Sequence, residues 1–548
     1  MSKKMRKNGF VEGAAIAYVA IVITKLMGAV YNIPFYSIIG DKGGIIYSYA
    51  YSIYTLFLDI STSGIPIAIS IVISEYNSLG KFRSKEKAYS LGLRVVLGVS
   101  LAAFLFLQVF SKQIGGYFLK DMTEGVSVDE IAFAVRAVSY CLLIVPFLSM
   151  KRGYLQGHKF LAPPSHSQVI EQFVRIVFVL CGSYIAINVL KADVTIGVGV
   201  ALIGAAVGAV IAQMYLVRAH YANREQFPIK GGTERKAEPT GKILRDIFSH
   251  CATLVLVSIT MSVYNLVDLK MLLLGLHKLS YDDEVAQLVS SIASTWIPKI
   301  CMIISALSIG LTSSIAPFIA ENYAKGKWKS VNLKINQAVG TVLAVSVPIG
   351  IGMILFAEPV YRLFYGESLY GGGILQLAIV VNILGSITTV ISMAMQSMNR
   401  GKSVCAFTIL GVIINTALDL PLIYLFDAIG IPAYLGASAA SIVGQLVTML
   451  LLLTSLKRSI NFSYRPMISV ILRAAPAAIL MSGAVVLLKH LWPVTQGRGI
   501  LLIVQFAFYG IAGALVYIPL TYRSKVLSDV FGKRTVAKIC RKLGIGKR

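Results

Sequence analysis

Long apolar runs recur along this chain from Phe10 almost to the C-terminus, each closed by a short polar connection. A bilayer core of about 30 Å takes about 20 residues of helix to cross, so each run predicts a transmembrane helix. The runs are too long to be the strands of a membrane barrel. They fall at roughly 10–39, 45–76, 88–110, 131–153, 163–187, 195–218, 243–275, 286–320, 331–356, 372–398, 403–426, 434–456, 467–489 and 500–520. The expected fold is therefore an all-α membrane protein with about fourteen transmembrane helices.

The pattern repeats. Gly64, Glu75, Gly80, Lys81, Phe82, Arg83 and Ser84 align without a gap on Gly310, Glu321, Gly326, Lys327, Trp328, Lys329 and Ser330. Ser149, Met150 and Lys159 align likewise on Ser392, Met393 and Lys402, and Val30-Tyr31-Asn32 on Val263-Tyr264-Asn265. Each match joins helix n to helix n+6, which predicts two parallel six-helix repeats related by an axis along the membrane normal. The expected organisation is a first bundle (1–218), a basic linker (219–242), a second bundle (243–456), two extra helices (457–520) and a basic tail (521–548). Two bundles facing a central cavity would work by alternating access.

Composition agrees with a membrane location: 56% of residues are hydrophobic, only 14% are charged and the mean hydropathy is +0.74. The formal net charge of +26 changes the picture only through its placement. Lys and Arg gather in the N-terminal segment, on alternate connections and in the C-terminal tail. One opposite loop, with Asp121, Glu124, Asp129 and Glu130, is acidic. The positive-inside rule then puts both termini in the cytoplasm, and the even helix count agrees, since it places the two on one side. The charge reads as topology and anionic-lipid attraction, worth about 1 kcal/mol per residue near headgroups, and not as nucleic-acid binding. Six scattered cysteines with no CxxC pair predict neither disulfides nor a metal site. Helix one lacks an A-x-A-like cleavage site and is expected to be retained.

Ionisable residues inside the apolar runs cost at least about 2.5 kcal/mol each and mark candidate sites. Lys25, Asp59 and Lys299 each lie 13 or 14 positions from the outer end of their helix, roughly 20 Å deep at 1.5 Å per residue. They predict a cationic, partly paired site at the cleft between bundles. The plainer reading is an ion pair of Lys25 with Asp59 while Lys299 snorkels. Glu171 and Arg175, four residues apart, are expected to form an intrahelical structural pair. Asp268, Lys270 and Asp419 lie nearer the outer end, as ion-handling or structural groups. Pro34, Pro66, Pro146, Pro298, Pro317, Pro348, Pro421 and Pro476 interrupt or flank spans, where kinks would let the bundles rock. There is no GxxxxGK[ST] sequence, HExxH or GxSxG, so ATP drive, cofactor use and enzymatic hydrolysis have no visible machinery.

The segments TKLMGAVYNIPFYSIIG (24–40), YNSLGK (76–81), KRGYLQGH with SQVIEQFVRI (151–158, 167–176), FYG (364–366) and QSMNRGK (396–402) resemble the multidrug/oligosaccharidyl-lipid/polysaccharide exporter superfamily. Within it they are most similar to the Gram-positive lipid II flippases and their stage V sporulation relatives. The resemblance spans nearly the whole chain. It implies movement of an undecaprenyl-pyrophosphate-linked disaccharide-peptide from the inner to the outer leaflet, with helices thirteen and fourteen forming a groove for the lipid tail. It also implies required basic residues on helices one, two and eight. Lys25 matches the first such position and Lys299 falls close to the helix-eight one. Tyr31 stands where the family has a second base on helix one, and Leu58 and Asp59 occupy the helix-two basic region.

The leading expectation is thus a flippase for lipid II. The alternatives are a flippase for another polyprenyl-linked oligosaccharide, a cation-coupled multidrug exporter, or a scaffold that recruits cell-wall synthesis enzymes through its basic tail.

Overall fold

A computed structural model describes residues 10–62, 64–120, 122–227, 234, 236–497 and 499–532. The basic N-terminal residues 1–9, Asp121 of the acidic loop, residues 228–233 and 235 of the linker and the tail beyond 532 lie outside the described residues. Among those described, every regular element is a helix.

Thirteen helical stretches are long and apolar enough to cross a membrane. One of them, Asn32–Ser78, runs across Gly40, where the backbone leaves the helix at φ 64° and ψ −169°. The part before Gly40 continues from Phe10–Val30 and completes a first span. Fourteen spans result, in agreement with the hydropathy pattern: α1 (10–39), α2 (41–78), α3 (Phe82–Phe118), α4 (Val128–Gly157), α5 (Ala162–Val189), α6 (Val194–Ala222), α7 (Thr240–Lys278). They continue as α8 (283–324), α9 (Trp328–Leu355), α10 (Gly371–Ser397), α11 (Gly401–Ala428), α12 (Ala433–Ile460), α13 (Arg465–Leu491) and α14 (Ile500–Arg523). Gly40 is the residue type the break between α1 and α2 demands, because a positive φ costs glycine nothing.

The repeat seen in the sequence has a backbone counterpart. Gly80 and Gly326 adopt φ 69° and 67°. The residues that follow, Lys81 and Lys327, precede α3 and α9 at φ/ψ of −85°/65° and −85°/62°. By packing, however, the chain divides into Met1–Lys299 and Ile300–Arg548, a boundary inside α8. In the first unit α7 and the beginning of α8 pack with α1–α6.

The prolines divide into two kinds. Pro66 and Pro146 open helical segments, at Ile65–Ser78 and Val145–Gly157, where the missing N–H is not needed. Pro348, Pro421 and Pro476 sit inside α9, α11 and α13.

In the first unit α2, α3, α4, α6 and α7 share a core that includes Ile69, Val72, Tyr76, Leu155, Leu216 and Ile247. Close approaches set its geometry. A Cβ on Gly153 would lie 2.4 Å from the Pro66 carbonyl oxygen, so only glycine lets α4 reach α2 there. The α6–α7 linker returns onto the same end of this unit. Phe227 packs among Tyr154, His158, Phe160 and His220. Glu234 accepts from the backbone N–H and hydroxyl of Ser84 in the first turn of α3, and Glu238 pairs with Lys81 at 2.6 Å and Lys242 at 3.0 Å. Those two lysines hold the Glu238 carboxyl below the usual carboxylate range.

Candidate functional site

The site is built where α2 faces α8 within the first unit. Along α2, Gly44, Tyr47, Ser48 and Tyr51 follow the three-and-four spacing of one helical face. Along α8, the helix widens to π over Ile292–Trp296, and Trp296 and Lys299 follow on one face. The two faces are joined by hydrogen bonds. Ser48 Oγ donates to Thr295 Oγ1 at 2.6 Å, and Trp296 Nε1 donates to the Gly44 carbonyl at 3.2 Å. A side chain at Gly44 would meet Tyr36 at 2.9 Å and the Trp296 indole nitrogen at 3.3 Å.

This packing places Lys299 Nζ 4.0 Å from the Trp296 ring, 4.3 Å from the Tyr47 ring and 5.6 Å from the Tyr51 ring. Lys299 is only 9% exposed, and its ammonium has no hydrogen-bond partner among the described residues. Aromatic faces attract a cation through their quadrupoles, worth about 2 kcal/mol or more when desolvated. They carry no negative charge to pair with it.

Arg175 on α5 joins the same cluster. Its guanidinium lies within electrostatic reach of the hydroxyls of Tyr31, Tyr47, Tyr51 and Tyr54, and of Lys299. What seats α5 is the glycine face of α6: a Cβ on Gly208 would lie 2.6 Å from the Glu171 carbonyl oxygen and 3.2 Å from Arg175 Cβ.

Several expected pairings are replaced. Glu171 does not pair with Arg175. It accepts from Arg152 Nη2 on α4 at 2.7 Å, and Arg152 Nε donates to Ser167 Oγ at 2.8 Å. Among the described residues no carboxylate lies within 4.0 Å of Arg175. Lys25 and Asp59 form no ion pair either. Asp59 accepts from Ser262 Oγ on α7 at 2.5 Å, while Lys25, half-buried on α1, has no hydrogen bond or ion pair among the described residues. Equal depth in the membrane was not sufficient to bring them together, because depth leaves the rotation of each helix open. Asp268 lies half-buried on α7, whose Lys270 donates to the carbonyls of Tyr117 and Phe118 at 2.7 and 2.9 Å. Asp419 is buried in α11 of the second unit, where Asn415 donates to it at 3.5 Å.

Tyr47, Tyr51, Tyr54, Trp296 and Arg152 were not singled out from the sequence. A signal was present: Tyr47, Tyr51 and Tyr54 recur at i, i+4 and i+7, and Trp296 precedes Lys299 by three. Tyrosine-rich helices are common enough in membranes that the spacing had no meaning until a partner face was known.

The second unit carries a different feature, an apolar groove of about 990 Å³ lined chiefly by α9, the short helix Ala357–Tyr365, α13 and α14. Among its lining residues Arg523 is the one charged group, with Leu527 and Phe531 beside it.

Solved structures of this architecture exist. A lipid II flippase MurJ in an inward closed conformation superposes with a TM-score of 0.60, covering 93% of this chain and 99% of that one at 15% identity. An inward-facing multidrug-resistance MATE transporter of the MOP superfamily gives 0.63, covering 81% of this chain and 99% of the other at 15% identity. The fold is thus that of a multi-pass membrane transporter of the MOP superfamily. Residues 10–282 match the model of the polysaccharide biosynthesis protein family, and residues 254–420 match the MatE model. The chain is also 30% identical to the lipid II flippase MurJ of Bacillus subtilis (strain 168) over 97% of its own length and 98% of that relative's, and it belongs to the MurJ family.

Proposed function

We propose that this protein moves undecaprenyl-pyrophosphate-linked peptidoglycan precursor, lipid II, from the inner to the outer leaflet by alternating access, driven by an ion gradient or the membrane potential. The observation that carries the reading is the pair of basic residues, Lys299 and Arg175, in a tyrosine-lined cluster with no carboxylate paired to either among the described residues. A pyrophosphate offers the missing counter-charge, and charge-assisted hydrogen bonds to it are roughly twice as strong as neutral ones. Tyrosine hydroxyls supply further donors around it. Reaching Lys299 requires the rings of Tyr47, Tyr51 and Trp296 to part, which couples substrate entry to a change of conformation.

The groove in the second unit supports the same reading, since a long isoprenoid tail needs an apolar track. The relative named above, itself a lipid II flippase, points to the same substrate class. With the basic connections inside, both termini are cytoplasmic. Single cysteines at Lys81 or Gln156 should then be labelled only from the cytoplasm, and external labelling of either would overturn the orientation. The transport reading is tested by reconstituting the protein in proteoliposomes and measuring lipid II translocation. Wild-type activity that is absent from a Lys299→Gln protein of equal abundance is expected. Equal rates in the two would overturn the assignment of the cluster.

A second reading, a cation-coupled exporter, is favoured by one observation: Asp59, half-buried at membrane depth and hydrogen-bonded to Ser262, is the kind of acid that carries a proton or sodium ion. The same residue serves equally as the coupling site of a flippase. Substrate competition separates the two: lipid II, and not a lipophilic cation, should occupy the Lys299 cluster.

A further inference from the structure

Two arginines face one carboxylate in the first unit. Glu171 sits one helical turn before Arg175, the spacing at which an acid and a base pair within a helix. Its carboxylate nevertheless goes to Arg152, at 2.7 Å. Arg152 is aligned for this by its second bond, from Nε to Ser167 Oγ at 2.8 Å. Ser167 precedes Glu171 by four residues, so α5 presents two acceptors on one face to the arginine of α4. Ser167 is itself fixed by donating to the Pro164 carbonyl at 2.6 Å. The side chains of Arg152 and Glu171 are 14% and 19% exposed, where a pair is screened far less than on the surface.

The charge arithmetic follows. With all four groups ionised, Arg152, Arg175 and Lys299 bring three positive charges against the single negative charge of Glu171, and the pair Arg152–Glu171 cancels, leaving two. Were Glu171 to turn to Arg175 instead, the site would hold its own anion at the place proposed for the pyrophosphate.

On the transport reading given above, we infer that Arg152 is a positioning residue: it holds the Glu171 carboxylate away from Arg175 and so keeps Arg175 available to an anionic phosphate. Arg152 does not touch the substrate. It acts by occupying the competitor. Removing it frees Glu171 to pair with Arg175 one turn along α5, and the substrate must then displace an internal counter-ion.

The test uses full-length protein in nanodiscs and undecaprenyl pyrophosphate as the probe, with Arg152→Gln, Glu171→Gln and the double variant. Arg152→Gln should weaken binding about tenfold, the scale of one charge-assisted hydrogen bond. The double variant should return to within about threefold of wild type, because the competing carboxylate is gone. A double variant as weak as Arg152→Gln would overturn the inference, since a purely structural or direct-contact role of Arg152 is not rescued by deleting Glu171. A thermal double-mutant cycle between Glu171 and Arg175, run without any lipid pyrophosphate, separates this inference from the transport reading. Coupling should be absent in the wild-type background and present in Arg152→Gln. No coupling in Arg152→Gln overturns the counter-ion transfer whatever the substrate is, whereas wild-type protein that does not bind undecaprenyl pyrophosphate overturns the transport reading.

Discussion

The cluster around Lys299 and the groove beside α14 solve opposite problems with the same small set of side chains. In the cluster, tyrosine and tryptophan rings pack against the Lys299 amine and give it no hydrogen bond among the described residues. In the groove, Tyr509 and Tyr517 turn their hydroxyls to backbone carbonyls, of Trp492 and Ala344, and offer the space mostly carbon. An aromatic residue is therefore not a functional label in a membrane protein. Where its hydroxyl goes decides whether it builds a polar site or an apolar one.

The sharpest way to break this comparison is to remove charge from the cluster. Lys299→Gln or Arg175→Gln should lower lipid II translocation in proteoliposomes by about a hundredfold, since a charge-assisted contact worth up to about 3 kcal/mol is lost. Membrane abundance on immunoblots should stay near wild type. Normal translocation by both variants would reduce the cluster to packing.

Next comes the seat of α5. Gly208→Val inserts a side chain where the Glu171 carbonyl and Arg175 Cβ already lie within 3.2 Å. Overpacking of this kind costs about 1–3 kcal/mol, so a lowered melting temperature together with a roughly tenfold loss of transport is expected. Gly116→Val on α3, where no atom lies within 4 Å of the added Cβ, should leave both unchanged.

The groove is tested by filling it. Gly513, with Met481 and Val485 each 3.4 Å from an added Cβ, lines it. Gly513→Trp should weaken binding of an undecaprenyl pyrophosphate about tenfold, the scale of a few lost methylene contacts, and leave binding of a short-chain analogue unaltered. Equal weakening of both would show that the groove does not read the tail.

Asp59 bears on what drives the cluster. Its carboxylate rests on Ser262 and not on Lys25, so Asp59→Asn should not rescue Lys25→Gln. It should retain substrate binding but lose the response of flipping to an imposed ion gradient, and a normal response would remove Asp59 from coupling.

The smallest effect belongs to the linker. Glu238, bridging Lys81 and Lys242, is held ionised below the usual carboxylate range. A depressed folded-state pKa means stability that is present above the unfolded value and lost as pH falls through the folded one. Glu238→Gln should therefore melt slightly below wild type at neutral pH and together with it in acid, as differential scanning fluorimetry would show. Lys242, the more exposed of its two partners, can re-pair with water, so the difference is small.

The fourteen spans were legible because the bilayer enforces them: an apolar run long enough to cross must be helical, and the requirement acts on each segment separately. The repeat was legible for a similar reason, since Gly80-Lys81 and Gly326-Lys327 are local turns whose backbone is set by a few consecutive residues. Depth, too, can be counted along one helix, and Lys299 was found by it.

Partners could not be counted. Glu171 and Arg175 have the spacing of a pair, and Lys25 and Asp59 share a depth, yet each acid went elsewhere, to Arg152 on α4 and Ser262 on α7. The rotation of a helix about its own axis is fixed by what packs against it, here the glycines of α6 against α5 and Gly44 of α2 against Trp296. A rotation of half a turn leaves hydropathy and depth unchanged while exchanging every neighbour. The sequence therefore determined which residues are at membrane depth, and only the tertiary packing decided that Lys299 and Arg175 would have no carboxylate partner among the described residues.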